Sequence, residues 1–389
     1  MKKTLKAFIR LFLFLLLITL HLNSFGANGV PAPDHVVIVV LENHGYSEII
    51  GSTSAPNINA LAADPYSALF THSFAVAHPS QPNYIDFYSG CNQGVTTDNV
   101  PSNYPFTTVN LGRQLIDSGR TFITYSESLP NVGYNGATSG TYARKHNPAA
   151  NWVGSGTNQI PVTTNQPFTA FPSSNFTALP TVCYVIPNMT DDMHNGTDPS
   201  RIVLGDSWVH NNLNNYIQWA KTHNSLLILT FDENDNSAGN QITTIFNGAM
   251  VQAGQYSDTI NHYSVLRTIE DMFNLPYACN AATASTITSC WLIPAGITSS
   301  ELMNETKFSV YPNPFSDGSV IKYQLAKKQM VFLEVFDLAG RSVQCFNPYP
   351  LEQDPGEYKY NFTPGDAGIY FVKLSTNDLV LTKKIVSVR

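Results

Sequence analysis

Hydrophobic positions along the chain fall into two textures. Residues 35–42 (HVVIVVLE) form an unbroken, β-branched apolar run, the pattern of a strand covered on both faces. Comparable runs at 121–126 (TFITYS), 182–187 (VCYVIP), 226–233 (LLILTFDE) and 242–249 (ITTIFNGA) predict four more strands. The segments 201–223 and 262–274 carry helical spacing. Strands alternating with helices predict an α/β fold, a mostly parallel sheet sandwiched by helices. Ligands of such sheets sit beyond the carboxyl ends of the strands.

From about residue 303 the pattern changes to short alternating pieces punctuated by Gly, Asn and Asp turns, which predicts a small all-β sandwich of about 80 residues. No catalytic groups gather there. The expected organisation is 27–300 as the α/β unit, 301–307 as a polar linker and 308–389 as the β-sandwich. Ahead of these, MKKTLKAFIR, the apolar LFLFLLLITLHL and the small residues NSFGA have the layout of a signal peptide over 1–26, cleaved near Gly26 or Ala27. The apolar run falls short of the ~20 residues a membrane span needs, so an exported mature chain with no stable membrane span is expected.

Export makes disulfides admissible. Cys279 and Cys290 lie eleven apart in one polar loop and could pair to pin it. Cys91 and Cys183 lie beside predicted core strands, and Cys345 falls in the tail. Five cysteines leave at least one thiol free, and none has metal-ligand spacing.

Length matters because 389 residues imply roughly two to three units. Charge matters more. Residues 27–302 hold 7 basic against 19 acidic groups, the reverse of what a nucleic-acid backbone requires. No nucleic-acid partner is expected, whereas a divalent cation would offset acids gathered in one cleft.

The candidate chemistry stands at strand ends. Glu42 and Asn43 close the first strand, and Asp232 and Glu233 close a later one, so two pairs of hard oxygen donors are expected to converge over the sheet. Carboxylates brought together repel unless a cation neutralises them. Ser80, in His78-Pro79-Ser80-Gln81-Pro82-Asn83-Tyr84, stands at the mouth of a predicted helix. Unpaired N–H groups and the positive dipole end there favour a phosphate or a developing alkoxide, although a plain helix cap is the alternative. Asp192 and His194, two apart in a turn, with His262 at the start of another helix, have the mixed N/O character of a second divalent site. Lys145 and His146 are expected to hold phosphate oxygens or protonate a leaving group. His35, His44, His72, His210 and His223 are left as background.

Residues 34–276 resemble the phosphoesterase family that unites bacterial and fungal acid phosphatases with bacterial phospholipases C, inside the alkaline-phosphatase superfamily. The blocks that carry the resemblance are VVLENHGYSEIIG, APNINALA, THSFAVAHPSQPNYIDFYSG, YARKHNP, IPNMTDDMH, TFDEND and HYSVLRTIEDMF, in family order. The resemblance implies Ser80 as nucleophile and metal ligand, with Glu42, Asn43, Asp232 and Glu233 as ligands around it. It places His146, Asp192, His194 and His262 at further polar positions, lining the phosphate or holding a second cation. Asn83, with Lys145 and His146, is expected to bind substrate. One or two divalent cations are implied. Tyr84 stands where phospholipase relatives tend to carry Arg, which brings the motif nearer the acid-phosphatase branch.

The tail resembles a second family, the C-terminal sorting domain of the type IX secretion system, through YPNPFSDG, VFDLAGR, the run GIYFVK and the terminal KKIVSV. That implies a Gram-negative cell, interaction with the type IX machinery, and an enzyme secreted or held at the surface after passing the periplasm.

The reaction expected is hydrolysis of phosphate monoesters, in which a metal-activated Ser80 attacks phosphorus and water then cleaves the phosphoserine. A phospholipase C acting on phosphodiesters is the rival within the class. A metal-dependent binding module without activity is the rival outside it.

Overall fold

A computed structural model describes residues 29–236, 239–292, 308–325, 328–347, 351–376 and 380–388. The expected signal peptide and linker lie outside the described residues. The first run forms strand β1 (His35–Leu41), whose residues after His35 are all buried. Val36, Ile38 and Val40 enter one apolar core and Val37, Val39 and Leu41 the other, because successive side chains of a strand point to opposite faces. A strand apolar at every position therefore demands cover on both sides, and helices supply it.

The central sheet continues with β2 (Ser67–Phe74), β3 (Phe122–Ser126), β4 (Asn165–Pro167), β5 (Val182–Ile186), β6 (Ser225–Phe231), β7 (Gln241–Asn247) and β8 (Gly254–Asn261). Their spatial order is β8-β2-β7-β6-β1-β5-β3-β4. All neighbours are parallel except β7, antiparallel to both β2 and β6. The segment 232–240 explains this reversal, since it is shorter than the dozen or more residues a parallel crossover needs. Three helices position the site. On one face lie α1 (Ser80–Ser89), with Tyr84, Ile85, Phe87 and Tyr88, and α3 (His262–Met272), with Val265, Leu266, Ile269 and Met272. On the other lies α2 (Ser200–Ala220), with Ile202, Val209, Leu213 and Ile217.

Strands β2, β4 and β8 have no counterpart in the apolar runs. The β2 sequence SALFTHSF mixes polar residues into a mostly buried strand, and β8 (GQYSDTIN) is a largely exposed edge, so neither shows a clean apolar run or alternation.

The chain after residue 308 forms antiparallel sheets of three and five strands. Ile321, Tyr323 and Phe362 of one and Leu333, Val335, Val372 and Ile385 of the other share a single core.

Cys279 does not pair with Cys290. Cys279 is bonded to Cys91, with Cα atoms 5.9 Å apart. The chain after α3 docks on the end of α1, where Asn280 N–H donates to Gly90 O at 3.1 Å, and this brings Cys279 beside Cys91. Cys290 is instead a buried thiol whose carbonyl accepts from Gln252 N–H at 2.8 Å. Cys183 and Cys345 are also free.

Candidate active site

The site rides on the carboxyl ends of β6, β1 and β5, adjacent in that order. Leu41 is in register with Phe231, so the next residues, Glu42 and Asp232, emerge side by side. Pairing runs on past both strands: Asp232 N–H donates to Leu41 O at 3.0 Å, and Glu42 N–H to Asp192 O at 2.8 Å. Asn43 then adopts a left-handed conformation with φ of 54°, which Asn tolerates better than most residues. That turn sends its N–H to Asp232 Oδ1 at 3.0 Å and its side-chain amide to Glu42 Oε2 at 2.8 Å.

Above these ends, α1 presents Ser80 as its first helical residue. Pro79 occupies the cap position, so Ser80 is not the cap. Its Oγ lies 3.0 Å from Glu42 Oε2 and 3.0 Å from Glu233 Oε1. A hydroxyl carries one proton, so only one of these contacts is a hydrogen bond at a time. One turn further, Tyr84 donates to Glu42 Oε1. The loop before Ser80 is held by Asn83, whose Oδ1 accepts from Val76 and Ala77 N–H while Nδ2 donates to Ala77 O and Pro79 O. The polar atoms of Asn83, a residue expected to bind substrate, are engaged by the backbone of Val76, Ala77 and Pro79, where it shapes the approach to Ser80.

Behind Glu42 stands His146, 1% exposed and stacked on Tyr84. Its Nδ1 lies 2.9 Å from Asp192 Oδ2 and its Nε2 3.2 Å from Glu42 Oε1. Neither Nε2 nor Asp192 Oδ2 makes a hydrogen bond. Lys145 Nζ donates to Asp98 Oδ2 at 2.8 Å and lies 3.2 Å from His194 Nε2. His194 N–H donates to Asp192 Oδ1 at 2.8 Å. His262, stacked on Phe87, puts Nε2 2.7 Å from Asp232 O. The expected trio of Asp192, His194 and His262 is thus not one cluster: His262 braces the Asp232 backbone, while Asp192 and His194 flank His146. Among the described residues, Glu42, His146 and His194 form one set whose ligand atoms all lie within 4.8 Å of one another.

Electrostatics mark this cleft as short of positive charge. Burial, and then the charges of Glu42 and Glu233, push the Asp232 carboxyl well above its ordinary range. Burial likewise raises Glu233 to about 7 and Asp192 to about 8, and lowers His146 and His262 to about 4. Burial opposes the Lys145 ammonium, yet the Asp98 hydrogen bond and the charges of Glu42, Asp98 and Asp232 outweigh it and raise its pKa. Asp232 Oδ2 is buried without a hydrogen bond. Crowded hard donors with orphaned lone pairs suit a divalent cation. Glu42 and Glu233 bring carboxylates to Ser80, and Asp232 accepts from Asn43 N–H, but these acids do not together form a set whose ligand atoms all lie within 4.8 Å of one another, whereas Glu42, His146 and His194 do. A further grouping of His44, Glu48 and Asp198 does not suit a metal, because Arg201 already donates to both Asp198 oxygens at 2.9 Å.

Three contributors escaped the sequence reading. His78 pairs with Glu233 Oε2, Tyr84 grips Glu42, and Asp98 holds Lys145. The first two lie inside the HPSQPNY motif, but Asp98 sits in a polar loop that carries no signal.

Residues 55–276 match the model of the Phosphoesterase family, and 309–388 match that of the Secretion system C-terminal sorting domain. A phosphatidylinositol-3-phosphatase of Mycobacterium tuberculosis is 45% identical over 269 residues, covering 69% of this chain and 86% of that protein. An acid phosphatase of Aspergillus fumigatus is 29% identical, covering 73% of this chain and 65% of its own length. Among solved structures, a protein in the alkaline phosphatase superfamily from Vibrio parahaemolyticus aligns with a TM-score of 0.46 at 11% identity, covering 85% of each chain.

Proposed function

The chain belongs to the phosphoesterase family, hydrolases of phosphoric esters, and from that premise we propose that it is a divalent-metal-dependent phosphatase of monoesters that works through a phosphoserine at Ser80. The observation that carries the reading is one hydroxyl oxygen at 3.0 Å from two carboxylates of distant chain segments. Such convergence is costly for a structural serine and apt for a nucleophile beside a cation. The names of the relatives, acid phosphatase and phosphatidylinositol-3-phosphatase, favour a phosphatase over a diester-cleaving phospholipase.

Glu42, Asn43, Asp232 and Glu233 would hold the first cation with Ser80, and Glu42, His146 and His194 a second. Bound there, such cations supply charge neutralisation and ease loss of the serine proton. Glu42 and Glu233 stand within reach of that proton as Oγ attacks phosphorus and the ester P–O bond breaks, the departing oxygen leaving as the alcohol with a proton from Lys145 or solvent. Water then cleaves the Oγ–P bond, releasing phosphate and restoring the hydroxyl. Lys145, held by Asp98, would approach the equatorial oxygens, and the N-terminus of α1 adds positive potential. Asp192 approaches His146 Nδ1 at 2.9 Å, and His262 braces the Asp232 backbone.

The matched tail implies secretion through the type IX system. No helix among the described residues is long and apolar enough to cross a membrane. We place 1–26 as the cleaved signal peptide, 27–300 as the catalytic unit, 301–307 as a linker and 308–389 as the sorting unit, with passage through the periplasm.

Ser80→Ala tests the reading. Turnover of an aryl phosphate is expected to fall at least a hundredfold with the melting temperature retained, and labelled phosphoserine trapped by acid quench from the parent is expected to vanish. Residual activity above one hundredth of the parent would overturn the assignment.

A further inference from the structure

The carboxylate of Asp98 joins a first-turn amide of α1 to the Lys145 ammonium. Gln81, the second residue of α1, has one of the helix amides left without a partner inside the helix, and its N–H donates to Asp98 Oδ1 at 3.0 Å. Lys145 Nζ takes Oδ2 at 2.8 Å. Asp98 is clamped in place, because Gln81 Nε2 donates to both flanking carbonyls, Thr97 O and Asn99 O, at 2.7 Å each. Gln81 is fully buried. The neighbour of Ser80 in sequence thus fixes an anion across the donors that would otherwise greet a phosphoryl group.

Lys145 consequently meets the substrate as half of a neutral pair. A free ammonium attracts a doubly charged phosphate about twice as strongly as a singly charged one at the same place, and pairing with a carboxylate removes most of that difference. We propose that Asp98 is a specificity-determining residue: by neutralising Lys145 beside the Ser80 helix, it suppresses the preference for dianionic over monoanionic phosphate groups. Monoester dianions remain the preferred substrates, but the discrimination against singly charged phosphates is weakened enough that a diester is turned over measurably. This rests on the phosphoesterase reading of Ser80 and adds the charge class of substrate.

The test compares kcat/KM for an aryl phosphate monoester and a matched aryl methyl diester at pH 8, where the monoester is a dianion, together with inhibition by inorganic phosphate. Asp98→Asn, which keeps size and an acceptor for Gln81 N–H, is expected to raise the monoester-to-diester ratio roughly tenfold, about 1.4 kcal/mol by the usual conversion, and to tighten inorganic phosphate. Lys145→Gln is expected to lower the ratio, and the double variant to return it to within about threefold of the parent, because the two charges are removed together. Thermal melts check that each variant folds, and the Lys145→Gln arm stands by itself if Asp98→Asn does not. A ratio unmoved by either single variant, equal loss on both substrates, or a parent that rejects the diester would overturn the proposal while leaving the phosphatase reading intact. A parent that hydrolyses neither substrate would overturn that reading instead.

Discussion

The Tyr84 hydroxyl donates to Glu42 Oε1 at 2.5 Å from the same helix that, one turn earlier, aims Ser80 at Glu42 Oε2. A single helix therefore sets both the nucleophile and the orientation of the carboxylate beside it. Tyr84→Phe keeps the ring stacked on His146 but removes a donor to a buried charge, a bond of about 1.5–3 kcal/mol. We expect kcat/KM to fall roughly 10–100-fold and the melting temperature to fall by several degrees. Parent-like kinetics would show that Glu42 needs no such anchor.

Removing divalent cations with a chelator is expected to abolish turnover and to lower the melting temperature. At cation a hundredfold above Kd the linkage is about 2.7 kcal/mol, or roughly 5–10 °C for a unit of this size. Readdition should restore both, and a parent indifferent to chelation would remove the cation from the mechanism.

Gly90 ends α1 with φ of +71°, and a Cβ there would lie 2.1 Å from Ala278 O. Gly119 has φ of +78° with nothing within 4 Å. Both alanine variants bear the left-handed backbone cost of about 1–2 kcal/mol, but only Gly90→Ala must also part α1 from the loop held by the Cys91–Cys279 bond. Gly90→Ala is expected to melt several degrees below Gly119→Ala, and equal melting would contradict this close approach.

Stability should also depend on pH through Glu270, remote from the proposed ligands. Burial lifts its carboxyl from 4.5 to about 8 despite a hydrogen bond from Ala278 N–H. A folded-state pKa above the unfolded value means that the folded protein binds the extra proton. That stabilisation is complete below about 4.5 and is lost as pH rises toward about 8. Glu270→Gln should flatten this decline, so that the variant gains on the parent between pH 5 and 8.5 in chemical denaturation. A constant difference across that range would count against it.

Much of this site was legible because its acids terminate long apolar runs. Glu42 follows VVIVVL and Asp232 follows LLILTF, and a buried parallel strand delivers whatever follows it to the ligand-binding edge. The motif around Ser80 was equally plain. That His262 meets the Asp232 carbonyl was not legible, because spacing cannot tell a side chain that meets a cation from one that meets a backbone carbonyl. Asn83 looked available for the same reason.

Taken by itself, the order of residues determined the layered α/β plan, the β-rich tail and the identity of the acids and the serine, since apolar periodicity and strand ends are properties of neighbouring positions. Which groups share one oxygen's surroundings was decided only by the fold. The partnership of Asp98 with Lys145, the Cys91–Cys279 bond and the convergence of Glu42 and Glu233 on Ser80 join positions 47, 188, 38 and 153 residues apart. Such contacts arise from how strands order themselves in the sheet and how helices settle on its faces, which no local pattern encodes.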